Sequence, residues 1–137
     1  MSPSAYGNTS GSDVRESREL MSSLMTFSLP EEIEALRAEP EWESNEKNSR
    51  TLAKEVDFRA LLTVLHTGAT LEEQDGEARA SLQVLDGEAE IEVEGQVVRL
   101  APGFMAVVNS GQSWRFRAVS DCAVLLTLAW PLEKAGV

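Results

Sequence analysis

The sequence contains one histidine, His66, and one cysteine, Cys122. A histidine can act as a general base near neutral pH. A cysteine can act as a nucleophile when a base or a positive field lies beside it. Asp121 precedes Cys122 and disfavours the thiolate, so we interpret Cys122 as structural. For His66 two interpretations stand: a general base, or a polar residue at the end of a strand, which we favour.

The chain is acidic, and its charge narrows the choice of partners. It has 23 Asp and Glu against 12 Lys and Arg, which gives a net charge of −11 over 137 residues. This charge repels phosphate backbones, so we expect no nucleic-acid partner. The acids cluster in residues 31–46 and 72–94, and we interpret both clusters as solvated faces because neither has the spacing of a calcium loop.

Cysteine usage and hydropathy indicate the compartment. A single cysteine allows no internal disulfide, which fits a reducing environment. The first 26 residues lack the apolar core of a signal peptide. The longest apolar run, residues 122–130, is too short for a transmembrane helix. We therefore expect a cytoplasmic protein without membrane contact.

Strict alternation in residues 88–94 predicts a half-buried strand. Three apolar side chains fall on one face and four glutamates fall on the other. Asp86-Gly87 precedes this strand and Glu94-Gly95 follows it, and both are turn dipeptides. The pattern predicts an antiparallel meander of three consecutive strands.

Strand-like stretches recur along the second part of the chain and are separated by turn residues. Short, evenly spaced strands are typical of an all-β sandwich or small barrel. The predicted strands are residues 51–56, 58–66, 80–85, 88–94, 97–100, 104–108, 113–119 and 123–130.

The sequence divides into four segments. We expect residues 1–26 to form a disordered tail or a weak helix, 27–49 a helical arm, 50–131 the β-barrel and 132–137 a C-terminal tail. In the arm, Ser28 can cap a helix that stops before Pro40, and Trp42 is expected to anchor the arm on the barrel. The last strand is apolar on both faces, so the arm or a second subunit must cover its outer side. We expect a homodimer to which the arm contributes.

The glycine spacing resembles that of the small single-domain cupins, whose fold is a jelly-roll barrel. The first cupin motif (a Gly, two His, a Glu and a Gly) corresponds to Gly68, Gln74, Gly76, Ala80 and Gly87. The second (Gly, Pro, Gly, His and Asn) corresponds to Gly103, Asn109, Gly111, Trp114 and Ala118. The resemblance covers residues 51 to about 131 and implies an all-β cupin barrel behind a short N-terminal helical arm.

Members of this family hold iron, manganese, nickel or zinc with three His and one Glu. The matching positions here are Gln74, Gly76, Ala80 and Trp114. Gly and Ala have no side-chain donor atom, Trp has an N–H but no free lone pair, and Gln has one weak carbonyl oxygen. We therefore expect neither a metal nor another cofactor.

The alternation of side chains along each strand predicts which residues face the interior of the expected barrel. If Trp114 points inward, Phe116 does too, and by the same rule so do Leu82 and Val84. Either these residues fill the barrel, or they leave room for a small, mostly apolar ligand that the Gln74 amide binds. The candidate ligand-binding residues are Gln74, Leu82, Val84, Ile91, Trp114, Phe116 and His66.

The function expected from this sequence is that of a metal-free cupin, a non-catalytic module that binds a small molecule or another protein. The alternative is a small cupin enzyme of unknown substrate, isomerase-like or dioxygenase-like. It would act without metal through His66, or with metal through ligands elsewhere in the chain.

Overall fold

Two antiparallel β-sheets and a short helical arm make up the computed structural model, which describes residues 23–131. Most of the predicted N-terminal tail and the whole predicted C-terminal tail lie outside this range. The elements are α1 (Leu29–Ala38), α2 (Pro40–Ser44), β1 (Lys47–Glu55), β2 (Phe58–Leu65), β3 (Thr70–Glu73), β4 (Arg79–Asp86), β5 (Ala89–Val93), β6 (Gln96–Leu100), β7 (Met105–Val108), β8 (Trp114–Ala118) and β9 (Cys122–Ala129).

The strands form a five-stranded sheet, in the order β1-β2-β9-β4-β7, and a four-stranded sheet, in the order β3-β8-β5-β6. All their pairings are antiparallel. The inner faces of the two sheets share one apolar core, as in a jelly roll. The predicted all-β class and jelly-roll architecture are confirmed.

Alternation along each strand decides which side chains enter this core. In β4, Ala80, Leu82 and Val84 are buried and their neighbours are more exposed. In β8, Trp114 and Phe116 are buried, whereas the intervening arginines are exposed. The inward parity predicted for these strands is therefore confirmed.

The predicted three-strand meander is wrong. β4 pairs with β7 and β9, whereas β5 pairs with β6 and β8 in the other sheet. The Asp86-Gly87 dipeptide is thus a crossing between sheets. Gly87 has a φ of 78°, and a Cβ at this position would lie 2.1 Å from the Asp121 carbonyl oxygen, so the crossing requires glycine.

Only β5 and β6 form the predicted hairpin. Glu94 and Gly95 both have positive φ, 53° and 80°, as a two-residue hairpin turn with matching twist requires. Two strand assignments needed correction. The edge strand β3 is absent from the predicted strands, and β1 begins at Lys47, within the segment predicted as the helical arm.

The arm forms as predicted from its capping residues. Ser28 is the N-cap of α1, where its Oγ accepts the Glu31 N–H at 3.4 Å, and α1 ends at Ala38, before Pro40. Leu36 is fully buried against a second apolar cluster that includes Leu62 and Ala123. The arm therefore covers part of the outer side of β9, which the sequence required something to cover.

Neither of the helices in residues 23–131 has the length and apolar character needed to cross a bilayer.

Candidate functional site

The barrel interior around Trp114 is packed. Trp114 is 6% exposed and Ala80 is 2% exposed, and both belong to the core cluster. Phe116, Leu82 and Val84 are fully buried, and Ile91 is 4% exposed. Five of the seven candidate ligand-binding residues are thus brought together, as contiguous core.

Gln74 lies outside this core, in the exposed connection between β3 and β4. This connection is tied to the β7–β8 connection across one end of the barrel. The Gly111 N–H donates to the Gly76 carbonyl oxygen at 2.7 Å, and the Asp75 N–H donates to the Ser113 hydroxyl oxygen at 2.9 Å. These bonds hold the two loops together beside the indole of Trp114.

A shallow depression, open to solvent, lies at this end of the barrel. Its volume is about 200 Å³, which is below the roughly 300–1,000 Å³ of typical ligand pockets. The residues lining it are Glu72, Gln74, Glu92, Glu94, Ser113, Trp114 and Arg115. Arg115 Nε donates to Glu72 Oε1 at 3.1 Å, so one carboxylate is already paired and the lining keeps a net negative charge.

This lining is polar and acidic, which is a poor match to the mostly apolar ligand suggested by the sequence. A ligand here would meet the Trp114 side chain, an amide, a hydroxyl, a guanidinium and carboxylates. Such a surface favours a small polar molecule that donates hydrogen bonds or carries positive charge.

The side chains at the four cupin metal positions do not fit a metal ion. Ala80 and Trp114 are buried but have no lone pair to give, and Gly76 has no side chain. Gln74 has one carbonyl oxygen, on an exposed side chain. In residues 23–131 no group of three or more His, Cys, Asp or Glu side chains is placed to hold a metal.

His66 lies against the arm and not among the interior residues with which it was predicted. Its ring stacks on Trp42, with centroids 3.5 Å apart and an interplanar angle of 16°. Its Nε2 lies 2.7 Å from the Trp42 carbonyl oxygen, which can only accept, so Nε2 carries the proton. His66 therefore holds Trp42 and the arm onto the end of β2.

Asp121 completes a group that we call the outer cluster: Arg37, Trp42, His66 and Asp121. Its Oδ1 accepts the Thr67 backbone N–H at 2.9 Å and the Thr67 hydroxyl at 3.0 Å, and its Oδ2 lies 3.8 Å from His66 Nδ1. The backbone hydrogen bond from Thr67 does most to lower the pKa of Asp121 below its usual 3.8, against partial desolvation. Arg37, whose Nη1 donates to Asp86 Oδ2 at 2.9 Å, lies over the Trp42 ring.

Cys122 is fully buried in the barrel core. The pKa of its thiol is raised to about 11, mainly by burial; Arg37 opposes this rise, and Asp86 and Asp121 add to it. The thiol is therefore protonated at neutral pH, which agrees with the structural role expected for it.

Five residues of the depression were absent from the sequence prediction: Glu72, Glu92, Glu94, Ser113 and Arg115. The glutamates of β5 alternate with apolar residues, which predicts that they lie on the solvent-facing side of the sheet. Glu92 is exposed as expected. Alternation could not reveal that Glu72 and Glu92 flank Arg115, because strand pairing sets that neighbourhood.

Comparison with solved structures places the chain among cupin folds. A conserved protein of unknown function from Streptococcus pyogenes, SPY1581, aligns with a TM-score of 0.65 and 23% identity over 81% of this chain and 91% of its own. The Cupin_2 domain of an XRE-family transcriptional regulator from Enterobacter cloacae aligns with a TM-score of 0.59 and 19% identity over 64% and 99%.

An enzyme also shares the fold. Salicylate 1,2-dioxygenase from Pseudoaminobacter salicylatoxidans aligns with a TM-score of 0.67 and 17% identity over 80% of this chain, but over only 36% of the enzyme chain. No protein-family model matches the sequence, and no curated protein matches it. The chain is therefore a cupin-fold protein, and neighbours at this identity establish the fold alone.

Proposed function

We propose that this protein is a metal-free, non-catalytic cupin module that acts by binding, as a homodimer with a small-molecule site beside Trp114. The main support for this proposal is that Trp114 and Ala80 pack into the core, at positions where the cupin pattern has metal ligands. An indole and a methyl group there supply packing in place of coordination.

The small-molecule site in this proposal is the depression at the barrel end. Gln74 is its neutral hydrogen-bonding group, and Glu92 and Glu94 supply negative charge. The bonded loops that carry Gln74 and Ser113 support a site that is formed before the ligand arrives. The proposed ligand class is small polar molecules that donate hydrogen bonds, with small amines and sugars first.

His66 has a positioning role in this proposal, which distinguishes it from the enzyme alternative. One ring nitrogen is bonded to the Trp42 carbonyl and one ring face is covered by the indole. A general base needs a free nitrogen facing a substrate. The lone, buried Cys122 supports a reducing, cytoplasmic setting.

A thermal-shift screen with small amines, sugars, carboxylic acids and aromatic compounds tests the binding site. A ligand that binds the folded protein raises its Tm by mass action. We expect a hit among the amines or sugars that is lost in Gln74→Leu. The matched control is Gln96→Leu, which removes an exposed amide from β6 outside the depression and should keep the shift.

Two outcomes contradict the proposed site. In one, no compound of the four classes changes the Tm of the unmodified protein. In the other, a hit shifts the Tm of Gln74→Leu as much as that of Gln96→Leu, which places the ligand elsewhere.

The proposed homodimer draws its support from apolar side chains that the fold leaves on the surface. The arm covers Ala123 and Leu125 on the outer side of β9. A second subunit is therefore not needed to cover this side of β9. Exposed apolar residues remain on β7 and in the turn before it. Exposed apolar side chains grouped in one place are typical of interaction surfaces.

A further inference from the structure

β7 differs from the other edge strands in residues 23–131. The edges of the two sheets are β1 and β7, and β3 and β6. β1, β3 and β6 each carry a Lys, Arg or Glu side chain, and such charges discourage pairing with another chain. β7 carries none.

The side chains on and before β7 form an exposed apolar surface, which we call the β7 patch: Phe104, Met105 and Val107. They are 56%, 58% and 63% exposed. The alternate residues Ala106 and Val108 pack into the barrel core, so Met105 and Val107 lie on the outer face of the five-stranded sheet. The patch combines apolar side chains with a strand edge that pairs with no other strand of residues 23–131.

The β4 residues directly opposite the β7 patch are uncharged. On β4, Ser81 lies opposite Val107 and Gln83 lies opposite Met105. The cluster beneath the arm includes no residue of β7. The four-stranded sheet differs, because ion pairs such as Arg115–Glu72 and Arg117–Glu90 cover its outer face.

Charge favours this surface for self-association. Each copy carries a net charge of −11, so contact between acidic faces would be opposed by like-charge repulsion. At the β7 patch two copies would meet through neutral side chains, and burial of apolar surface would stabilise the contact.

We propose that β7 pairs with β7 of a second copy, antiparallel about a two-fold axis, and joins the two five-stranded sheets into one. This proposal rests on the homodimer proposed above and assigns its surface. A two-fold contact uses the same patch on both chains and closes at two copies. Antiparallel pairing of residues on the same face keeps Met105 and Val107 of both chains on one side of the joined sheet.

A second copy fits this edge better than residues 1–22 of the same chain. That segment is rich in Ser and Gly and has charges at Asp13, Arg15 and Glu16, with no apolar alternating run. The β7 sequence is continuous in Met, Ala and Val, which suits an added strand.

Val107→Lys tests the proposal, with Val97→Lys as its matched control. Both valines are exposed on edge strands, at 63% and 57%, so both variants should fold, which circular dichroism checks. Sedimentation equilibrium over a range of concentrations measures the mass. We expect the mass of two chains for the unmodified protein and Val97→Lys, and of one chain for Val107→Lys. Hydrogen exchange at the amides of Met105–Val108 should accelerate only in Val107→Lys.

The outcomes separate this proposal from the homodimer itself. If the unmodified protein and Val107→Lys are both dimers, the β7 surface is wrong and the homodimer stands. If the unmodified protein is a monomer, both are wrong. In that case slow exchange at β7 shows that another part of the same chain covers the edge, and fast exchange leaves the edge to a different protein or to solvent.

Discussion

Trp114 and Trp42 occupy opposite situations in the same molecule. Trp114 lies inside the barrel among apolar side chains and is 6% exposed. Trp42 lies on the outside, half-buried, stacked on the only histidine and near Arg37. The inner indole is surrounded by apolar side chains, whereas the outer one stacks on an imidazole and lies beneath a guanidinium.

This difference shows that the only imidazole of the chain lies outside the barrel interior. The interior of a cupin barrel is where the family pattern has imidazoles, and here it is core. The imidazole of His66 instead fastens the arm. The interior residues therefore contribute most to the free energy of unfolding. The outer cluster positions the arm and contributes less to that free energy, and part of its contribution depends on pH.

The largest effect is expected from Trp114→Ala. Removing a buried indole loses its burial and leaves a cavity, so the free energy of unfolding should fall by about 3–5 kcal/mol. Urea denaturation followed by circular dichroism measures this. A loss under about 1 kcal/mol, the level of a typical surface substitution, would mean that Trp114 does not fill the interior.

Trp42→Ala should cost less, roughly 1–2 kcal/mol, because the ring is half-buried and loses one stacking partner. A double-mutant cycle with His66→Ala isolates the contact, and its coupling energy should be about 0.5–1.5 kcal/mol. Trp42→Phe, which keeps an aromatic ring, is the control and should recover part of the loss. Coupling near zero would show that stacking of His66 on the Trp42 ring does not stabilise the arm.

The smallest effect concerns Asp121 and pH. Its pKa in the folded protein lies below the usual 3.8, so its carboxylate stabilises the fold above that pH and this contribution is lost as pH falls through the folded value. Unfolding free energies of the unmodified protein and Asp121→Asn should differ at neutral pH and converge in acid. A difference that stays constant from neutral to acidic pH would show that ionisation of Asp121 does not stabilise the fold.

Alternation made most of the fold predictable. In β4 and β8 every second residue is apolar, and these residues form the core. The Asp86-Gly87 crossing was mistaken for a hairpin because a glycine with positive φ serves either geometry. The close approach of the Asp121 carbonyl decides between them, and this contact joins residues far apart in the sequence.

The candidate site was less predictable than the core. The absence of a metal-donating lone pair on the Ala80 and Trp114 side chains follows from residue type alone. The position of His66 could not be inferred, because its partner Trp42 belongs to the arm, whose docking the strand pattern does not specify. The acidic depression depends likewise on how β3, β5 and β8 pair.

Metal analysis of protein purified without an affinity tag tests the central claim most directly. After dialysis, elemental analysis should find iron, manganese, nickel and zinc all far below one atom per chain. Adding these ions back should leave the Tm unchanged, because the interior offers no donor set to hold them. Retention of any one of them at one atom per chain would contradict the claim that packing has replaced coordination inside this barrel.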